Sequence, residues 1–125
     1  MGEKCLIDSN TLIEFQGKLL PPKGHAYVAS VIDDEFNISV INKIETLGSK
    51  YVTSETENFI ALATVYDLDK SIVDATIELR KKHKIKLPDA VIAATAILNK
   101  FTLITINVKD FLNIKGLHVI NTHDL

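Results

Sequence analysis

The chain has a single cysteine, Cys5, so it lacks any internal disulfide and any pair of thiolates for a zinc site. Cys5 sits in the apolar run Lys4-Cys5-Leu6-Ile7, where a buried, inert thiol is expected, and that fits a reducing, cytoplasmic setting. Positive charge is not in excess either. With 14 Lys and Arg against 16 Asp and Glu, the formal charge is −2, so no global field attracts a polyanion and any RNA contact has to be a local patch. No apolar stretch approaches the ~20 residues of a membrane span. The opening Met-Gly-Glu-Lys-Cys-Leu-Ile-Asp is read as lacking a signal-peptide core, and Leu6 stands where a myristoylation signal wants Ser or Thr. His25, His83, His118 and His123 show no metal spacing on one helix face and no evident acid-base partner, so surface or edge positions are expected.

What is present suits one domain spanning 1–125, because 125 residues can bury a real core and 46% of them are apolar. Lys4–Asp8 reads as a first strand closed by Asp8-Ser9-Asn10, with a helix from about Thr11. Leu20-Pro21-Pro22-Lys23-Gly24 breaks that helix, and His25–Asp34 reads as the next. Asn37–Val40 is a second strand. Asn42-Lys43-Ile44-Glu45 has the shape of a capping box opening a helix that ends near Gly48. Further helices are expected over Thr53–Ala61 and Asp69–His83, the latter with Ile72, Val73, Thr76, Ile77 and Leu79 inward and the basic tail Arg80–Lys84 at its negative end. Leu87-Pro88-Asp89 opens an apolar helix to Leu98. Strands are expected at Thr64–Leu68, Thr102–Ile106 and His118–Ile120, with a helical turn over Asn107–Leu112. This alternation predicts an α/β fold, a three-layer helix-sheet-helix sandwich around a mostly parallel sheet of about five strands. Ligands in such folds bind beyond the carboxyl ends of the strands.

Asp8, Glu45 and Asp110 each follow a predicted strand within a few residues, and Asp89 opens a helix that packing has to bring to them. Carboxylates brought together raise one another's pKa and oppose folding unless a cation intervenes. With oxygen donors alone, Mg²⁺ or Mn²⁺ is favoured over zinc, and such a metal suits hydrolysis of a phosphodiester. Each acid also has a purely local reading: Asp8 as a helix cap, Glu45 as the partner of Asn42, Asp89 as a dipole partner, Asp110 opposite Asn107. The cluster Arg80-Lys81-Lys82-His83-Lys84 with Lys86 reads first as a solvated helix end and second as a holder of RNA phosphates.

Four blocks in order resemble the PIN-domain family, in particular the VapC-type toxins of prokaryotic toxin–antitoxin pairs. They are Leu6–Asn10, Ser39–Gly48, Leu87–Ala96 and Thr105–Phe111. The resemblance spans nearly the whole chain. It implies a metal-dependent endoribonuclease with Asp8, Glu45, Asp89 and an acid of the last block at the metal, and with Ser9, Asn10, Thr105 and Asn107 as supporting polar residues. It also implies a homodimer and a cognate VapB-type antitoxin that blocks the acidic cleft. Some PIN domains carry an acid where this chain has Asn107, which leaves the fourth role to Asp110.

Two enzymatic rivals lack their acids: a phosphate-receiving signalling domain wants paired acids after the first strand, and a dehalogenase-type phosphatase wants an acid where Asn10 stands. A catalytically inactive PIN-like module binding RNA or protein is the stronger alternative.

Overall fold

The computed structural model describes Glu3–Leu125; Met1 and Gly2, the start of the segment read for a signal peptide and for myristoylation, lie outside the described residues. Strand β1 (Cys5–Ile7) feeds α1 (Ser9–Gln16), followed by α2 (Pro22–Asp34), β2 (Asn37–Ser39), α3 (Val40–Leu47), α4 (Ser54–Ile60) and β3 (Thr64–Tyr66). Then come α5 (Lys70–Lys82), α6 (Leu87–Leu98), β4 (Thr102–Ile104), a 3-10 turn (Val108–Phe111), β5 (Val119–Ile120) and a closing 3-10 turn (Thr122–Asp124). No helix among the described residues is long and apolar enough to cross a membrane.

All pairings are parallel: β1 with β4, β4 with β5, and β2 with β3. Strands β1 and β2 lie side by side without a backbone ladder, so the sheet runs β3-β2-β1-β4-β5 with a seam between its two-stranded and three-stranded parts. Side chains close that seam at the amino ends of the strands. Asn37 Nδ2 donates to the Cys5 carbonyl at 3.2 Å, and Lys4 Nζ pairs with Glu35 at 3.2 Å.

Alternation along β1 builds the three layers. Cys5 and Ile7 join Leu12, Val28, Ile38 and Ile60 under α1, α2 and α4, whereas Leu6 points the other way into a cluster with Ile92, Ala93, Phe101 and Leu103 under α6. Helix α6 is buried on nearly every side because Val91–Ala96 are small or branched apolar residues and Thr95, whose hydroxyl donates back to the Val91 carbonyl.

Local chemistry moves several boundaries. Helix α2 begins at Pro22, ahead of the expected His25, because proline at the first helical position forfeits an amide that would be unpaired anyway. Asn42 does not cap α3. Ser39 does, and Asn42, as its third residue, reaches back to the Ser39 amide at 2.9 Å, so the box is Ser39/Asn42 and Glu45 is released from it. Helix α5 buries a narrower stripe than expected: Ile72 and Thr76 face α6, while Val73 and Ile77 are 37% and 48% exposed. His123, expected without an acidic partner, meets Glu14 Oε1 at 2.9 Å and ties the closing turn to α1.

Candidate active site

The carboxyl ends of β1, β2 and β4 open onto one cleft of about 280 Å³, lined by Asp8, Ser9, Asn10, Ile13, Glu45, Asp89 and Asn107. Asp8 is the residue where β1 becomes α1. It is 6% exposed, and it caps the helix by accepting from the Ser9 amide at 2.9 Å. The same Oδ1 accepts from Asn42 Nδ2 at 3.1 Å, and Oδ2 accepts from Thr105 Oγ1 at 2.8 Å. A carboxylate offers about four acceptor positions, so three are spoken for and one, on Oδ2, is left for a ligand.

Around Asp8 the neighbours hold one another. Asn42, fully buried, also donates to Ser9 Oγ at 3.0 Å, and Ser9 Oγ donates to Glu45 Oε1 at 2.6 Å. Thr105 Oγ1 accepts from the Asn107 amide at 3.1 Å, and Asn10 Oδ1 accepts from the Ile106 amide at 3.3 Å, so both fix the chain leaving β4. Among the described residues, Glu45 Oε2 and both oxygens of Asp89 find no hydrogen-bond partner. One acid is therefore rigid, one half-held and one free.

Burial pushes the Asp8 carboxyl above its ordinary range; hydrogen bonds from Thr105, Ser9 and Asn42 pull against it, and the charge of Glu45 adds to it. Asp89 is pushed up from 3.8 to about 6, first by burial, then by the charges of Asp110, Asp8 and Glu45, with Lys86 opposing. A folded-state value above the unfolded one means that the folded chain binds the extra proton. This contribution to stability is complete below 3.8 and is lost as the pH rises through about 6. Asp89→Asn is thus expected to raise the melting temperature in EDTA at about pH 7 and to leave it unchanged at about pH 3. A lowered melting temperature at neutral pH would contradict the electrostatic account.

Asp8, Glu45 and Asp89 line the cleft together with Ser9, Asn10 and Asn107, and Thr105 stands behind Asp8. Asp110 is outside the lining, exposed on the 3-10 turn that Phe111 anchors in the core, although its charge is felt at Asp89. The alternative local reading, Asp110 opposite an Asn107 cap, does not form either, since the Asn107 side chain makes no capping hydrogen bond. Reading the sequence missed Asn42 as a functional residue. Its signal was an amide one turn before Glu45, which was assigned to the helix start instead.

The donors in the cleft are oxygens only, with no His, Cys, Lys or Arg in its lining, so the residues present fit a hard divalent cation. Among the described residues no three His, Cys, Asp or Glu groups close into a ready-made coordination shell.

The family model for the PIN domain matches residues 5–117. The chain belongs to the PIN-domain family. Solved structures agree with this PIN fold. A chain of a toxin–antitoxin complex from Klebsiella pneumoniae is 29% identical over 95% of this chain and 98% of its own, with a TM-score of 0.76. VapBC from Salmonella typhimurium, solved bound to DNA, is 23% identical over 97% and 99% of the two chains, with a TM-score of 0.76. FitAcB from Neisseria gonorrhoeae is 21% identical over 97% and 99%, with a TM-score of 0.75. No curated protein matches the chain in sequence. As a PIN domain, the chain has the α/β architecture expected of it, and its acids gather at the edge of the sheet where such folds bind ligands.

Proposed function

We propose that this chain is a Mg²⁺- or Mn²⁺-dependent endoribonuclease, the toxin of a VapBC-type toxin–antitoxin pair, working as a single-domain protomer of a homodimer in the cytoplasm. The observation that carries the proposal is Asp8, pinned by Thr105, Ser9 and Asn42 with one acceptor position left over, sharing a cleft with Glu45 and Asp89. The PIN-domain match and the toxin–antitoxin relative from Klebsiella pneumoniae support it.

Asp8, Glu45 and Asp89 would hold the cation, with Asp110 as an outer acid acting through Asp89. A bound Mg²⁺ or Mn²⁺ would supply a hydroxide-like water at neutral pH and positive charge for the phosphoryl oxygens. The chain's own part is placement. Thr105 and Asn42 keep Asp8 in one orientation, Ser9 does the same for one oxygen of Glu45, and the free oxygens of Glu45 and Asp89 can accept the hydrogens of a water and orient it. A groove of about 390 Å³ between α1, α3 and α4 shares Ile13 and Glu45 with the cleft, which gives a polymer room to continue past the reacting phosphate. The same unneutralised acids suit an antitoxin that inserts a basic side chain, since a guanidinium meets carboxylates in a bidentate fork.

Purified protein is expected to cleave single-stranded RNA with Mg²⁺ or Mn²⁺ and to lose that activity in EDTA, while the metal raises its melting temperature. Cleavage persisting in EDTA, or a metal that neither activates nor stabilises, would overturn the reading.

A further inference from the structure

The acidic cleft poses a problem for a polyanion once it extends beyond the metal. Asp8, Glu45, Asp89 and Asp110 repel it, and no Lys or Arg lines the cleft. Compensation is offered at the entry to α6. Lys86 is the N-cap residue of that helix, three positions before Asp89, and among the described residues its charge is the one that offsets the acids at the Asp89 carboxyl.

The stretch between α5 and α6 displays charge in an ordered way. His83 and Lys86, at its two ends, have extended backbone, and burial alternates along it: His83 and Ile85 are half-buried, Lys84 and Lys86 exposed. Ile85 packs against the core cluster that holds Leu6, Ile92 and Phe111, so the segment is anchored from below. In extended chain, side chains two positions apart share a face at about 7 Å, comparable to the repeat of a nucleic-acid backbone. The alternating burial puts Lys84 and Lys86 on the exposed face of the stretch that runs into α6 and Asp89, following Arg80 and Lys82 at the end of α5.

Among the described residues, Arg80, Lys82, Lys84 and Lys86 make no salt bridge; only Lys81 does, with Glu78 at 3.6 Å. The negative end of α5 accounts for Arg80, Lys81 and Lys82, which lie in its last turn. It does not account for Lys84 and Lys86, which lie beyond the helix.

We propose that Lys84 and Lys86 form a phosphate-binding rail that holds the backbone of the RNA strand running out of the cleft. This deepens the proposed ribonuclease reading and rests on it. The contact reads phosphate and not base, so it contributes affinity and register without sequence preference.

The test compares wild type with a Lys84→Glu/Lys86→Glu double variant, and with a Lys23→Glu/Lys115→Glu variant that makes the same change in net charge elsewhere on the surface. For cleavage of a fluorescent single-stranded RNA, the rail variant is expected to raise KM at least about tenfold and to lower the slope of log(kcat/KM) against log salt by about 1.4, that is, ~0.7 per lost phosphate contact. Its half-saturating Mn²⁺, read from the thermal shift of the protein without RNA, should be no higher than that of wild type, because an acid in place of Lys86 adds to the attraction for a cation at Asp89. The control variant should keep the wild-type slope. An unchanged slope in the rail variant, or an equal loss in both variants, overturns the rail. If wild type cleaves nothing, the ribonuclease reading has failed. The rail is then judged separately by RNA binding in fluorescence anisotropy, where equal affinity of wild type and rail variant overturns it.

Discussion

Asp8→Asn is expected to lower kcat/KM for metal-dependent RNA cleavage by about 1000-fold, ~4 kcal/mol of barrier, while the protein still folds. The loss follows from the single acceptor position that the network leaves open on Oδ2. An amide removes both the charge and that lone pair from the place where a cation would be held. The fold tolerates the change because the amide oxygen still accepts from the Ser9 amide and Asn42, and the amide nitrogen donates to the Thr105 hydroxyl, which turns to accept. Burial already disfavours the charged form of Asp8, so its contribution to stability falls as the pH rises through its raised value. The neutral variant is therefore expected to melt no lower than wild type at neutral pH. Asp110→Asn, at an exposed position outside the cleft, should cost no more than about tenfold, one step of ~1.4 kcal/mol. Steady-state rates with Mn²⁺ and thermal melts on the two variants check both statements. Equal damage from Asp110→Asn would show that the outer acid belongs to the inner set.

Asn42→Ala is expected to combine a structural and a functional loss. The wild-type amide makes three buried hydrogen bonds, to Asp8, Ser9 and the Ser39 amide. Leaving their partners unpaired around a fully buried side chain should cost about 3 kcal/mol, or roughly 10 °C in melting temperature. A defect of packing alone would stop there. Because Asn42 orients Asp8 and, through Ser9, Glu45, the half-saturating Mn²⁺ concentration should also rise about 10- to 100-fold, as it does when groups that orient metal ligands are removed. A variant that melts lower at unchanged metal requirement would reduce Asn42 to a helix-capping residue.

The layering was legible in the sequence because it rests on patterns that local residues set by themselves. Alternation along Cys5-Leu6-Ile7 and the apolar run of α6 define two faces whatever else the chain does. The placement of Asp8, Glu45 and Asp89 after strands or at a helix start was legible for the same reason, although their roles at a metal rest on the proposal above. The capping of α3 was not. Ser39 and Asn42 compete for the same helix start, and only the buried partners that Asp8 and Ser9 offer to Asn42 decide which of them caps and which reaches back. The outward turn of Val73 and Ile77 likewise depends on how narrow a stripe α6 presents to α5, which periodicity within α5 cannot register. The pairing of His123 with Glu14 joins residues 109 positions apart, beyond the reach of any spacing rule.

The seam in the sheet gives the cleft a mechanical meaning. Asp8, Thr105 and Asn107 ride on the three-stranded part, whereas Ser39, Asn42 and Glu45 ride on the two-stranded part. No backbone ladder joins β1 to β2, so the bonds from Asn42 to Asp8 and Ser9 and from Ser9 to Glu45 are stitches between two plates that are otherwise held by packing and, at the far end, by Asn37 and the Lys4–Glu35 pair. Whatever binds Asp8 and Glu45 at once acts as a rivet across that joint. Such binding is expected to tie the two parts more firmly, and slower amide exchange in β2 is where that would register.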